Sequence, residues 1–73
     1  RFYCAVASYN TGVGNVARTF TGRKSITAAV DTINGMSPDA VYDYLMENLP
    51  AQETKNYLKK VVTRMAKYKQ FDA

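Results

Sequence analysis

The sequence predicts an all-α fold of about five helices. Apolar residues recur at intervals of three and four along the second half of the chain, which is the period of one helix face. Strong stop and start signals, such as Ser37-Pro38 and Pro50, separate the periodic segments. No segment alternates apolar and polar residues as a strand would. With 73 residues, the chain has room for one small domain at most.

The first predicted helix runs to about Tyr9 and contains the uninterrupted apolar run 2–7. Such a run is typical of a helix that is buried on all sides. Gly12 and Gly14 follow, and glycine adopts positive φ at little cost. The pattern predicts an internal turn that delivers Tyr9 and Asn10 to a site beside the core.

Two short helices are predicted next. Asn15 is expected to cap a second helix that ends at Phe20, and 21–23 forms a turn. A third helix covers about 24–34 and ends at Gly35. Its predicted core stripe is Ile26, Ala29, Val30 and Ile33.

The fourth and fifth helices have the clearest boundaries. Ser37 as cap, Pro38 at the first helical position and an acid after it start the fourth, and Pro50 stops it. The fifth helix is predicted from about Ala51 to Tyr68. The apolar stripe of the fourth helix is Val41, Tyr42, Leu45 and Leu49. That of the fifth is Tyr57, Leu58, Val61, Val62, Met65 and Tyr68, with the lysines outside it.

Composition excludes several kinds of chemistry. The chain has one cysteine and no histidine, so an intrachain disulfide, a Cys–His nucleophile and most zinc sites are excluded. We expect no cofactor and no metal. Cys4, within the apolar run, is predicted to be a small core residue. The net charge of +4 allows nucleic-acid binding, but cations interleaved with apolar residues favour a solvated helix face.

The way the chain opens predicts a longer domain. Residue 1 stands at the edge of a core helix without a capping residue or a polar lead-in. We therefore expect residues 1–73 to be the C-terminal portion of a domain whose other part lies upstream.

Two motifs and the segments that connect them resemble the lytic transglycosylases with a lysozyme-like catalytic domain, which cut bacterial peptidoglycan. The stretch 7–12, A-S-Y-N-T-G, is similar to their A-Y-N-x-G motif, and 53–61, E-T-K-N-Y-L-K-K-V, is similar to their E-T-R-x-Y motif. The connecting segments 14–20 and 33–42 also match. The membrane-bound type C enzymes are the most similar in their motif residues and in the spacing between motifs.

The resemblance implies cleavage of the MurNAc–GlcNAc β-1,4 bond with formation of 1,6-anhydromuramoyl ends. Family members use one glutamate as acid and then as base, and that residue belongs to a segment upstream of A-Y-N-x-G. Nothing here matches that segment. The resemblance also implies peptidoglycan strands as the partner and a location on the periplasmic side of a bacterial envelope, with any outer-membrane anchor in an absent N-terminal part.

Three residues are carried over as substrate-binding or acid-supporting groups: Tyr9, Asn10 and Tyr57. An asparagine amide suits N-acetyl groups, because it offers a donor and an acceptor together. Without the resemblance, Asn10 could simply tolerate a left-handed turn, and either tyrosine could be a core residue. Tyr57 is at one edge of its helix's apolar stripe, so its ring can pack while its hydroxyl reaches outward.

The remaining motif residues are predicted to support the site. Gly12 and Gly14 would shape the turn, and Glu53 would complement the positive end of the fifth helix. Lys55 replaces the arginine common in the family, so a bidentate pairing with a carboxylate is not expected.

No carboxylate of the chain occupies an apolar setting suited to a general acid, so no catalytic residue is assigned within it. The chain alone is expected to lack lytic activity, to expose apolar surface, and to self-associate or swap elements. Two other functions stay open: a goose-type lysozyme-like hydrolase, and a small basic helical module that binds nucleic acid or protein.

Overall fold

The computed structural model describes the backbone of residues 2–72 and the side chains of residues 2–67. All its regular elements are α-helices, which confirms the predicted all-α class. The helices are α1 (Phe2–Thr11), α2 (Val13–Thr21), α3 (Ile26–Asn34), α4 (Pro38–Asn48) and α5 (Gln52–Asp72).

Helix α1 is the centre of the packing. It contacts α2, α4 and α5, while α3 packs against α2. The core contributed by these helices is small, as expected for a chain of this size. Its buried members are Ala7, Val16, Phe20, Val41, Leu45, Leu49 and Leu58.

The predicted cap of α4, Ser37, is confirmed, whereas α3 begins two residues later than expected and is capped by Ser25, a position predicted to lie inside the helix. The Ser25 hydroxyl accepts a hydrogen bond from the Ala28 amide at 3.3 Å, and Ser37 accepts one from Ala40 at 3.2 Å. Pro38 is in the first turn of α4, where its missing N–H costs nothing.

The predicted start of α2 is wrong. Asn15 is inside the helix, and its amide donates to the Thr11 carbonyl at 2.8 Å instead of capping. Gly12 is the N-cap, with φ 95° and ψ 145°, a conformation that only glycine adopts readily. The turn between α1 and α2 is therefore a single residue, and α1 continues through Asn10 to Thr11.

Gly14 was expected to adopt positive φ, and this is also wrong. It is a helical residue of α2, and the positive-φ glycines are Gly12 and Gly22. A Cβ on Gly14 would lie 3.3 Å from Cδ of Lys24, so the missing side chain makes room for that lysine to cross α2. Gly14 supports packing and does not shape the turn.

Helix α1 is not buried on all sides in this chain. Ala7 is its one buried residue, and Phe2 is 48% exposed. Its contacts come from α2, α4 and α5, which cover the side that carries Ala7. The opposite side, with Phe2, Ala5 and Tyr9, is open. The helices present therefore cover only one side of the apolar run.

Other predicted core positions are also partly open. Ile26 and Val30 on α3 and Met65 on α5 are exposed, because no described element packs over them. The predicted core position Tyr68 lies outside the described side chains. The structure provides no helix long and apolar enough to cross a membrane within its described part.

Candidate functional site

The predicted site residues converge where α1 approaches α5. The rings of Tyr9 and Tyr57 are stacked, with centroids 6.5 Å apart and an angle of 14° between their planes. Tyr9 is near the end of α1 and Tyr57 is in the second turn of α5. Residues 48 positions apart in the sequence thus share one surface. We call Tyr9 and Tyr57 the tyrosine pair.

Asn10 is joined to the same helix by a hydrogen bond. The Thr54 hydroxyl donates to Asn10 Oδ1 at 2.8 Å. Thr54 is 2% exposed and is the buried polar residue among those described, so this bond satisfies a group that would be costly to bury alone. Because its oxygen is fixed by Thr54, the Asn10 amide has a defined orientation.

An open groove runs beside the tyrosine pair. We call it the α1–α5 groove; its volume is about 290 Å³. Its lining consists of Ala5, Val6, Tyr9, Tyr57 and Val61. The lining is apolar apart from the two phenol hydroxyls, and none of these residues carries a carboxylate. A polar group placed here would meet apolar side chains on the side that faces the protein.

The geometry decides two of the alternatives left open by the sequence. Tyr9 is 86% exposed even though its ring is stacked, so it is not a core residue of this chain. Asn10 is helical, and no described residue other than glycine has positive φ, so Asn10 is not a left-handed turn residue. Tyr57 is half-buried, as its position at the edge of the stripe predicts.

The supporting residues differ in their relation to the groove. Glu53 is exposed in the first turn of α5, where its charge complements the helix dipole as predicted. Lys55 is half-buried on the same helix. Gly12 directly follows α1 and ends it two residues after Asn10, with its amide donating to the Ser8 carbonyl at 2.7 Å. Gly14 contacts Lys24 and not the groove.

Cys4 lines a different pocket, of about 340 Å³, among α1, α2 and α3. Burial raises the pKa of its thiol above the usual value, so the thiol is neutral at physiological pH. This environment fits the predicted role of a small apolar residue. Among the described residues, no group of three or more His, Cys, Asp and Glu side chains could hold a metal ion.

The sequence interpretation missed Thr54. A signal was available, because Thr54 precedes Tyr57 by three residues and therefore shares its side of the helix. Thr54 stands between Glu53 and Lys55 and is not part of the apolar stripe of α5. The periodicity of apolar residues therefore could not predict that it is buried. The contact with Asn10 spans 44 residues, and only the packing of α1 on α5 reveals it.

Comparison with known proteins points to one class, the lytic murein transglycosylases, and so confirms the resemblance seen in the motifs. The relatives carry the name membrane-bound lytic murein transglycosylase C. The protein of Actinobacillus pleuropneumoniae serotype 5b (strain L20) is 42% identical over 66 residues, which are 90% of this chain and 18% of the relative. That of Serratia proteamaculans (strain 568) is 41% identical over 69 residues, 94% of this chain and 19% of the relative.

The chain thus spans about one fifth of the length of the curated relatives it matches. No family model matches the chain. No solved structure matches it either.

Proposed function

We propose that residues 1–73 are the C-terminal portion of a lytic transglycosylase catalytic domain and form one wall of its sugar cleft. The observation that carries this proposal is the meeting of Tyr9 and Tyr57 at one open groove, with Asn10, next to Tyr9 in the chain, bonded to α5 through Thr54. The enzyme containing the chain would cut the MurNAc–GlcNAc β-1,4 bond of peptidoglycan, as the name of its relatives suggests. The chain alone would be inactive.

The α1–α5 groove suits the acid that this chemistry needs. A carboxyl group from an upstream segment, placed against Ala5, Val6 and Val61, would be desolvated, and desolvation raises a carboxyl pKa. A raised pKa keeps the group protonated until it donates to the leaving glycosidic oxygen. The hydroxyls of Tyr9 and Tyr57, at the edge of the same groove, could hydrogen-bond that carboxyl group and orient it.

The remaining steps need no second carboxylate. After donating its proton, the glutamate would accept one from the C6 hydroxyl of the muramoyl sugar, whose oxygen attacks C1 and closes the 1,6-anhydro ring. Attack from within the substrate replaces a separate water molecule, so positioning supplies much of the rate. Asn10 would hold an acetamido carbonyl with its Nδ2 donors, since Oδ1 is already engaged by Thr54.

This assignment implies where the protein works. Peptidoglycan lies outside the inner membrane, so the enzyme would act on the periplasmic side of the envelope. The relatives are named membrane-bound, and their additional length would include the anchor.

The decisive experiment is mass spectrometry of muropeptides released from purified sacculi by the full-length protein. We expect products with 1,6-anhydromuramoyl ends, 18 Da lighter than hydrolysed ones. Reducing ends would instead indicate the goose-type lysozyme-like hydrolase. Lysis by residues 1–73 alone would show that the acid is within this chain and would contradict the division of the site.

A further inference from the structure

The charge of the chain is unevenly distributed between two neighbouring helices. Residues 54–71 contain six of the ten Lys and Arg residues and no Asp or Glu. Helix α4 carries Asp39, Asp43 and Glu47 and no cation. Cations on the side of α5 that faces α4 therefore have acids opposite them, whereas those on another side do not.

Four of the cations of α5 form two pairs on different sides of the helix. At about 100° per residue, Lys55 and Lys59 are about 160° away from Tyr57. Lys59 lines a cleft with Asp43 and Glu47 of α4. Lys59 therefore has acids near it within the fold, and Lys55 is half-buried on the same side of α5.

Lys60 and Arg64 form the second pair and are on the same side as Tyr57. Around the helix they are only about 60° and 20° from it, and Arg64 is about 10 Å further along the axis. Both side chains are exposed. Glu53 shares this side but precedes Tyr57 by one turn, at the end of α5 away from Arg64. Cations thus follow Tyr57 along this side of α5, toward the C-terminal end of the helix.

We propose that Lys60 and Arg64 bind the acidic stem peptide carried by the glycan strand, a role that rests on the proposed function. A peptide attached to a sugar beside Tyr57 can follow α5, since two to three extended residues span the roughly 10 Å to Arg64. Its carboxylates then meet one ammonium and one guanidinium group, and the latter can bind a carboxylate through two hydrogen bonds.

The test compares two charge-matched variants of the full-length protein. Lys60→Gln/Arg64→Gln removes the pair beside Tyr57. Lys55→Gln/Lys59→Gln removes the same charge from the side facing α4, also across one helical turn. The probes are fluorescently labelled glycan strands, either bearing their stem peptides or stripped of them by an amidase. Binding is followed by fluorescence anisotropy, and product release by chromatography.

We expect the first variant to bind peptide-bearing strands about three- to tenfold more weakly than wild type, the range given by two exposed ion pairs. Its Kd for stripped strands should not change, and the second variant should match wild type on both probes. An equal loss on both probes, an equal loss in both variants, or no loss would overturn the proposal.

Failure of the proposed function has a different signature. If wild type binds both strands but releases no anhydro product, the catalytic assignment is wrong, and the ratio of the two Kd values still decides the role of Lys60 and Arg64. If wild type binds neither strand, both proposals fail. Tight binding of duplex DNA with a steep salt dependence, lost in the first variant, would assign this surface to nucleic acid instead and overturn the proposal.

Discussion

Thr54 donates a hydrogen bond of 2.8 Å to the side-chain oxygen of Asn10 and so ties the start of α5 to the end of α1. The bond joins the two motifs that the chain shares with its relatives. It makes the orientation of Asn10 depend on a threonine that itself cannot reach the groove, because Thr54 is buried. Thr54 therefore positions the Asn10 side chain.

Thr54→Val should reduce stability and activity together. Valine keeps the shape but leaves the Asn10 oxygen without its donor, a loss of about 1 kcal/mol in the free energy of unfolding. Urea denaturation and kcat/KM on sacculi measure the two effects. Thr63→Val, on the exposed side of the same helix, is the matched control and should change neither. Unchanged activity in Thr54→Val would mean that Asn10 needs no orientation for the reaction.

Removing a tyrosine hydroxyl should affect either catalysis or stability, depending on which tyrosine loses it. Tyr57→Phe keeps the ring stacked on Tyr9 but removes the group proposed to hold the acid, so we expect kcat/KM to fall about 10- to 100-fold with little change in Tm. Tyr44→Phe is the contrasting variant. The Tyr44 hydroxyl donates to the Thr19 carbonyl at 3.1 Å, away from the groove, so its loss should lower Tm and spare activity. The opposite pattern would remove Tyr57 from the site.

The sequence predicts a structural feature well when the residues that form it are close together in the chain, and poorly when they are far apart. Local signals were sufficient for the cap at Ser37, because its bond connects residues three apart. Asn15 misled for the same local reason, since asparagine is a good cap, yet Gly12 takes that place. The Thr54–Asn10 bond and the tyrosine pair depend on how α1 packs on α5. Their meeting could be expected only through the resemblance.

Glycines 12 and 14 should respond differently to alanine. Gly12→Ala places a Cβ at φ 95°, where the strain should cost about 1–3 kcal/mol although no atom lies within 4 Å of that position. In Gly14→Ala the new Cβ meets only the flexible Lys24 side chain, and alanine favours the helix by up to about 1 kcal/mol, so stability should be unchanged or higher. Thermal unfolding of both variants checks this. Equal destabilisation would contradict the assigned conformations.

The buried thiol of Cys4 should make stability depend on alkaline pH. Because burial raises its pKa in the folded state, the folded protein keeps the proton when the unfolded chain, with a thiol pKa of about 8.5, has lost it. Stability is then full below about pH 8.5 and falls as pH rises toward the folded-state pKa. The urea midpoint between pH 8 and 10 should decrease more in wild type than in Cys4→Ala, which lacks the thiol. Parallel curves would mean that the thiol is not desolvated.

The open side of α1 should make residues 1–73 associate when produced alone. Phe2, Ala5 and Tyr9 form an exposed apolar strip that continues into the α1–α5 groove, and apolar surface of this kind is normally covered by another segment. In the proposed domain the upstream segment would cover it. Without that segment, a second copy is the nearest apolar surface available, either by docking or by exchange of α1.

Sedimentation velocity between about 5 and 200 μM should therefore show a weight-average mass that rises with concentration. Ala5→Glu introduces a charge in the middle of the strip and should restore a monomer, because burying an unpaired carboxylate is costly. Thr63→Glu adds the same charge on the exposed side of α5 and should leave association unchanged. A folded wild-type monomer at every concentration would show that the strip tolerates water. The need for an upstream partner would then have to be sought in activity alone.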